Sequence, residues 1–183
     1  MSAPIKVFVT VGTHEDPFNR LVAAADKLAA DPHYRVKIQS GYSTVACQFA
    51  AASAMMPFDT LQAAMAEADV VITHGGPASI MQAFSHGKVP VVVPRQSQFG
   101  EHVDDHQRRF ARRLADRAVI VEDIGTLETI VRGWPAAAGG LRVQDLGPER
   151  ARSFALGLDR LIDELLVPPV KPQARWRRIF RGG

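Results

Sequence analysis

The stretch ADVVITHGGPASIMQA at residues 68–83 decides the fold, because it reads as a buried strand, a glycine turn and a helix start. Residues 70–72 are β-branched, and Gly75 and Gly76 are expected to adopt backbone torsions that a Cβ would forbid. Pro77 suits the first turn of a helix, where unpaired N–H groups and the helix dipole stabilise an anion. The stretch predicts a phosphate site, but the same glycines also fit a tight strand-to-helix connection without a ligand.

Two common nucleotide-binding fingerprints are absent from the chain. Neither G-x-G-x-x-G nor G-x-x-x-x-G-K-[ST] occurs anywhere in the sequence. Their absence disfavours a dehydrogenase and an NTPase.

Outside this stretch, short apolar runs alternate with amphipathic segments. Predicted strands cover residues 5–11, 35–39, 50–56, 70–72, 89–94 and 118–121. Predicted helices cover residues 17–32, with Asp16 as N-cap and Pro17 as first residue, and residues 61–68, 78–86, 102–116 and 149–167. This alternation implies an α/β fold, a Rossmann-like parallel sheet with helices on both faces.

Three polar loops follow predicted strands and are expected to share one cleft. They are Gly12-Thr13, His74-Gly75-Gly76 and residues 95–106. In an open parallel sheet, ligands collect at the carboxyl ends of the strands, where all three loops emerge.

The charge of the chain is concentrated at its C-terminal end. The 183 residues carry a net charge of +3, and five of the 22 basic side chains lie in residues 171–183, which contain no acidic residue. The remaining 17 basic and 19 acidic residues leave a nearly neutral body, which disfavours a broad nucleic-acid-binding face. We expect one Rossmann-like domain over residues 1–167 and a basic amphipathic tail over residues 168–183.

Apolar and basic side chains are interleaved within that tail. They are Arg175, Trp176, Arg177, Arg178, Ile179, Phe180 and Arg181. The composition is typical of a segment that contacts a membrane surface or a partner, and it is equally compatible with a solvated, frayed end.

The single cysteine, Cys47, cannot form an internal disulfide, which is compatible with a reducing compartment such as the cytoplasm. Its neighbours are small or apolar, so it is expected to be a core residue rather than a nucleophile. The apolar run at residues 5–11 is too short for a signal peptide, and no segment is long enough to span a bilayer.

Four motifs in order carry a resemblance to a known family. They are VFVTVGT at residues 7–13, MPF at residues 56–58, the stretch at residues 68–83, and VPR at residues 93–95 with FGEHVDDHQ at residues 99–107. Together they resemble the C-terminal-domain family of GT-B glycosyltransferases related to the enzyme that makes lipid II. The pattern is similar to small catalytic subunits of two-component exopolysaccharide or capsule transferases, and to the soluble subunit of the dolichol-linked N-acetylglucosaminyltransferase.

The resemblance implies the C-terminal, donor-binding half of a GT-B fold with a UDP-sugar site. In the family pattern, the backbone at Phe58 reads the uracil edge, and the turn and helix start at residues 75–79 hold the diphosphate. Gln82 departs from the pattern, because family members often place an acidic ribose ligand there, and an amide lacks the charge-assisted strength of a carboxylate. The implied nucleotide-binding residues are Gly12, Thr13, Phe58, His74, Gly75, Gly76, Ala78, Ser79 and Gln82.

The segment at residues 101–107 matches the region that contacts the donor sugar. The residues implied there are Glu101, His102, Asp105, His106 and Gln107. His102 and His106 also have the spacing of a metal pair, but the H-E-x-x-H arrangement is missing and no metal is predicted. The acidic residues between them have a structural alternative, which is to complement a helix dipole.

His14 is the candidate catalytic base, because it follows Gly12-Thr13 at the carboxyl end of a predicted strand. Its alternative is an inert histidine on a surface loop. His74 has the further alternative of orienting the loop that it begins.

The resemblance implies a metal-independent, inverting transfer from a UDP-sugar to a polyprenyl-diphosphate-linked acceptor in polysaccharide biosynthesis, with no cofactor. It implies a membrane-associated partner that binds the acceptor, and therefore action at the inner face of the membrane. Two alternatives stay open. One is a non-catalytic enhancer of a partner transferase, which Gln82 keeps open, and the other is a free-standing nucleotide-sugar enzyme such as an epimerase.

Overall fold

The structure, a computed structural model, describes residues 3–138. The helix predicted at residues 149–167 and the tail at residues 168–183 lie outside the described residues. Within the described part of the chain, no helix is both long enough and apolar enough to cross a membrane.

One parallel sheet of six strands forms the centre of the described region. The strands are β1 (Ile5–Thr10), β2 (Tyr34–Gln39), β3 (Ala51–Ser53), β4 (Val70–His74), β5 (Pro90–Val93) and β6 (Val119–Ile120). Their spatial order is β3-β2-β1-β4-β5-β6, and every pairing is parallel. All six predicted strands are present, and the predicted Rossmann-like α/β fold is confirmed.

Five α-helices of the described region cover the two faces of this sheet. They are α1 (Asn19–Ala29), α2 (Phe58–Glu67), α3 (Pro77–Ser85), α4 (His106–Arg112) and α5 (Leu127–Arg132). Helices α1 and α5 pack on one face, against strand residues such as Val9 and Ile72. Helices α2, α3 and α4 pack on the other face, against alternate residues such as Phe8 and Val92. Helix α5 was not predicted from the sequence.

The predicted start of the first helix is wrong. Helix α1 begins at Asn19, and Phe18 occupies the N-cap position without a side-chain cap. The backbone carbonyl of Asp16 accepts a hydrogen bond from Arg95, and the Phe18 N–H donates to Ser43. These tertiary contacts hold Asp16 and Pro17 in a loop and override the local helix-start signal.

The predicted helix at residues 102–116 is also too long, because α4 spans only His106–Arg112. The carboxylate of Asp104 accepts the backbone N–H of His106 at 3.0 Å, and that of Asp105 accepts the Ser97 N–H at 2.9 Å. Short side chains that capture backbone donors in this way compete with helix formation. The residues before His106 therefore form bends.

The segment between β2 and β3 is attached to α1 by a buried carboxylate. Asp26 accepts the backbone N–H groups of Gln48, Phe49 and Ala50 at 2.8–2.9 Å. Cys47 lies on this segment, where it is half-buried against the core, and burial raises the pKa of its thiol. Both observations agree with the predicted packing role of Cys47.

The order of the strands reverses between β1 and β4. The chain runs outward from β1 to β2 and β3, then returns to the other side of β1 to form β4, β5 and β6. At such a switch point the loops that follow the two central strands diverge and leave a crevice at the carboxyl edge of the sheet. The loops at Gly12 and at His74 follow these two strands.

Candidate functional site

The crevice is built around the imidazole of His74, which ends β4. The ring lies in the space left by two glycines without side chains. A Cβ on Gly12 would lie 2.5 Å from ring atom Cε1, and one on Gly76 would lie 2.2 Å from Nε2. The glycines at the ends of both central strands therefore make room for this one side chain.

The expected reason for Gly75 and Gly76 is wrong. Among residues 3–138, the glycines with positive φ are Gly12, Gly41, Gly87 and Gly100, and the φ of Gly76 is −76°. Gly76 is needed because a Cβ there would collide with His74, and Gly75 because a Cβ would lie 2.8 Å from the Cβ of Gln107. Close packing, not special torsion, excludes side chains at these two positions.

His74 is a neutral side chain at physiological pH. It is 9% exposed, and burial lowers its pKa to about 4, with a further lowering from the charge of Arg95. A hydrogen bond with the backbone of Thr10 partly opposes this lowering.

Helix α3 begins three residues after this histidine, at Pro77, and points its N-terminus at the crevice edge of the sheet. Gly76 is its N-cap, provides no side-chain cap, and is followed by Pro77 at the first position. The N–H groups of Ala78 and Ser79 lie in the first turn, where a helix supplies no backbone acceptor. Gln82 follows one turn later and is half-buried. Ala78 is exposed, so this helix end is open to an anion.

Phe58 and Thr13 lie at the same edge of the sheet. Phe58 is the first residue of α2, and its side chain is 66% exposed. Thr13 follows Gly12 in the exposed part of the loop after β1. Both residues therefore face solvent at the carboxyl edge, Phe58 at the start of α2 and Thr13 in a loop.

Three histidines from two loops come into contact beside the crevice. The ring centroids of His14 and His102 lie 4.7 Å apart, and those of His102 and His106 lie 4.5 Å apart. His102 is the least exposed of the three, and burial lowers its pKa, with a further lowering from His106. The structure thus brings the predicted base next to two predicted sugar contacts.

Asp104 joins two of these histidines. Its Oδ1 lies 3.6 Å from Nδ1 of His102 and in hydrogen-bonding contact with Nδ1 of His106. The ligand atoms of the three residues all lie within 4.8 Å of one another, so they can converge on one cation. Asp104 was not among the predicted site residues.

Glu101 does not fit the predicted contact with a sugar. Its side chain is buried, and its two carboxylate oxygens accept hydrogen bonds from Nε and Nη2 of Arg20 at 2.8 and 2.9 Å. It also accepts the backbone N–H of Gln96 at 3.0 Å. A carboxylate with these partners holds the loop together and has no free oxygen directed at the crevice.

Asp105 and Gln107 also have structural partners. Asp105 accepts from the backbone N–H and hydroxyl of Ser97 and pairs with Arg108 at 3.3 Å. Gln107 is 5% exposed, packs against Gly75, and accepts the backbone N–H of Arg95. Asp105 keeps an accessible side that a ligand can reach. Gln107 is buried and supports the turn at Gly75 and Gly76 by packing against it.

Arg95 organises the site and was missed by the sequence analysis. Its side chain is fully buried and donates to the backbone carbonyls of Val11, Asp16 and Glu101 at 2.8–3.0 Å. It therefore ties the loop after β1 to the loop after β5. A signal for this role was present in the sequence, since an arginine directly after the buried strand β5 must find acceptors nearby.

Comparison with known proteins gives one family match. Residues 6–132 match the profile of the glycosyltransferase family 28 C-terminal domain. No curated protein sequence matches the chain.

Several solved glycosyltransferases have a similar fold. CalG4, the calicheamicin glycosyltransferase, has a TM-score of 0.58 and 15% identity over 90% of this chain and 45% of its own. SnogD from Streptomyces nogalater has a TM-score of 0.53 and 18% identity over 90% of this chain and 41% of its own. The spinosyn forosaminyltransferase SpnP has a TM-score of 0.51 and 19% identity over 88% and 41%.

At these identities the likeness shows the fold alone, and the chain spans less than half of the length of each solved structure. The profile match is the stronger finding, because it extends over most of the chain, from the second residue of β1 to the end of α5. The chain belongs to the glycosyltransferase family 28 C-terminal domain family, and its fold is the donor-binding half of a GT-B glycosyltransferase.

Proposed function

We propose that this chain is the catalytic, donor-binding subunit of an inverting glycosyltransferase. It transfers a sugar from a UDP-sugar to a polyprenyl-diphosphate-linked acceptor in polysaccharide biosynthesis. The observation that carries the proposal is the crevice at the switch point, where the open N-terminus of α3 adjoins the buried ring of His74. The N-terminus of α3 can bind an anion, and the ring of His74 forms a fixed wall beside it.

The diphosphate is proposed to bind at the N-terminus of α3. The free N–H groups at Ala78 and Ser79 donate to its oxygens, and the helix dipole stabilises the charge that develops as UDP leaves. In other transferases a divalent ion stabilises this charge, and helix α3 is proposed to do so here. The transfer is therefore expected to be metal-independent, and the purified, metal-free complex should keep its activity when a chelator is added.

His14 is the proposed base. In an inverting transfer, an acceptor hydroxyl attacks the anomeric carbon on the face opposite the diphosphate, and the bond from that carbon to the diphosphate oxygen breaks. The hydroxyl proton passes to a neutral imidazole. His14 is about one-third exposed and contacts His102 at the edge of the crevice, so an acceptor from outside the chain can reach it.

The acceptor side of the cleft is proposed to come from a separate membrane-associated subunit. The proposal is supported by the architecture, because the described residues build one sheet of the GT-B type, which corresponds to the donor half of that fold. With such a partner the chain would work at the cytoplasmic face of the membrane, with contact from the basic tail at residues 175–181.

Calorimetric titration with UDP tests the donor site, and Ala78→Asp is the decisive variant. An aspartate in the first turn favours the helix itself, so this variant should fold as well as the wild type. Its charge opposes a diphosphate, and we expect UDP affinity to fall about tenfold, a cost of about 1.4 kcal/mol. Ala63→Asp, on the exposed side of α2, is the matched control and should leave UDP affinity unchanged.

Titration with uridine separates the contacts made to the diphosphate from those made to the uracil ring. Because uridine has no phosphate, its affinity should be the same for wild type and Ala78→Asp. Equal UDP affinity of these two proteins would overturn the proposed diphosphate site. UDP binding without any turnover in the presence of the acceptor-binding partner would favour a non-catalytic enhancer, the alternative that the neutral side chain of Gln82 keeps open.

A further inference from the structure

The His102–Asp104–His106 cluster has a chemistry that donor binding alone does not explain. It brings two imidazole nitrogens and one carboxylate oxygen within 4.8 Å of one another. His102 is 10% exposed and Asp104 is 53% exposed, so the cluster has a buried side and an open side. An ion can enter from the open side without rearrangement of the core.

A second Asp-x-His segment in the chain provides a comparison for the ligand groups around Asp104 and His106. At Asp31-Pro32-His33 the carboxylate also accepts the backbone N–H of the histidine at 3.0 Å and contacts its Nδ1 at 2.8 Å. The local geometry therefore matches that of Asp104-Asp105-His106. The first segment has no second imidazole beside it among the groups of potential ligands in residues 3–138, whereas His102 completes the other.

The spacing of the cluster suits a small divalent ion with nitrogen ligands. Zn²⁺ binds imidazole nitrogen and carboxylate oxygen at about 2.0–2.2 Å in tetrahedral sites, which places neighbouring ligand atoms about 3.4 Å apart. The distance of 3.6 Å between His102 Nδ1 and Asp104 Oδ1 is close to this value. On binding, the ion would replace the hydrogen bond between Asp104 and His106 and the one that the Asp104 N–H donates to His102 Nδ1, so Asp104 and His106 would move apart.

The ligand types discriminate between metals. Two imidazoles favour Zn²⁺ and its transition-metal neighbours, whereas Mg²⁺ prefers oxygen ligands and several bound waters. Three protein ligands leave one tetrahedral position open for water, which agrees with the exposed side of Asp104.

We propose that His102, Asp104 and His106 form a site for a Zn²⁺-class ion, and that the bound ion withdraws both histidines from the donor sugar. The metal site stands on the cluster geometry alone. The effect on the sugar rests on the proposed function, because it requires His102 and His106 to contact the donor.

Zn²⁺ binding is tested by competition with a chromophoric chelator, using the full chain without an affinity tag. Wild type is expected to bind one ion, and His102→Gln and His106→Gln to bind it at least tenfold more weakly, since even the loss of an outer-shell partner costs about 10–100-fold. His33→Gln is the matched control, and Cys47→Ser tests the one thiol; both should bind as wild type does. Mg²⁺ should not compete.

Equal Zn²⁺ affinity of wild type and His102→Gln, with correct folding confirmed by circular dichroism, would overturn the metal site. So would a loss of the same size in His33→Gln, because this would place the ion at isolated Asp-x-His segments. Neither result depends on UDP, so they are separate from a failure of the donor site.

The effect on the sugar is tested by calorimetry with a panel of UDP-sugars and with UDP itself, each with Zn²⁺ or with a chelator. For any UDP-sugar that binds more tightly than UDP, Zn²⁺ should abolish the difference, because that difference comes from the sugar. The diphosphate can also bind Zn²⁺, but both ligands contain it, so this effect does not change the difference in affinity between them. An unchanged difference at saturating Zn²⁺ would overturn the withdrawal of the histidines and leave the metal site intact.

Discussion

The side chain of His74 occupies space that exists only because two of its neighbours are glycines. A Cβ at Gly76 would lie 2.2 Å from the ring, although the φ of Gly76 suits any residue. We expect Gly76→Ala to destabilise the protein by about 1–3 kcal/mol through overpacking, measured by urea unfolding. The cost should shrink in the double variant with His74→Ala, because removing the ring removes the collision.

Gly87→Ala is the matched control for this cycle. Gly87 has a φ of +69° and nothing within 4 Å of a built Cβ, so its substitution costs only backbone strain, about 1–2 kcal/mol. That cost should be unaffected by His74→Ala. If Gly76→Ala and His74→Ala were additive, the packing explanation for Gly76 would be wrong.

The same residues show what sequence reasoning reaches at this scale. Gly75 and Gly76 stood out because paired glycines after a β-branched run are unusual, and both lie at the crevice. Their reason was predicted wrongly, because the local sequence does not show that the ring of His74 packs against Gly76 or that Gln107 packs against Gly75. Glu101 shows the same limit, since its partner Arg20 is 81 residues away in the sequence.

At the scale of elements, the buried guanidinium of Arg95 joins the loops after β1 and β5. We expect Arg95→Lys to destabilise the protein by about 3 kcal/mol, because a single ammonium cannot reach three diverging carbonyls and leaves buried acceptors unpaired. Urea unfolding measures this loss. Hydrogen exchange should also become faster in residues 11–16, because Arg95 binds the carbonyls of Val11 and Asp16 at the two ends of this segment.

Arg109→Lys provides the comparison, since Arg109 is an exposed residue of α4 and its substitution should change stability by less than about 0.5 kcal/mol. If Arg95→Lys were as mild, the guanidinium would not be the link between the loops.

The elements themselves were largely predictable, because period-2 and period-3.6 apolar patterns reflect burial on the faces of a sheet. The first and last residues of the elements were less predictable. The start of α1 depends on Arg95 and Ser43, and the start of α4 depends on Asp104 and Asp105 as acceptors. Helix α5 has only two fully buried residues, Leu127 and Val131, and so gives too short a pattern to detect.

At the scale of the whole molecule, the neutral state of His74 links stability to pH. Its pKa is about 4 in the folded protein and about 6.5 when exposed, so the unfolded chain binds the additional proton between these values. Stability should therefore fall as the pH drops from about 6.5 to 4. The contribution of this one group is at most about 3 kcal/mol.

Urea unfolding of wild type and His74→Gln at pH 7, 5.5 and 4.5 measures this contribution. Glutamine is neutral throughout, so the loss of stability with acidification should be smaller in the variant, while the carboxylates of the protein contribute equally in both. Parallel stability curves for the two proteins would contradict a depressed pKa at His74.

The position of β1 has a consequence for how the chain folds. This strand is synthesised before the other five strands of the sheet, yet it lies in the middle, with β2 on one side and the much later β4 on the other, where Val7 pairs with Val70. During synthesis, one edge of β1 stays open until residues 70–74 have emerged from the ribosome. Closure of this long loop slows folding and leaves an apolar strand edge accessible to other chains in the meantime.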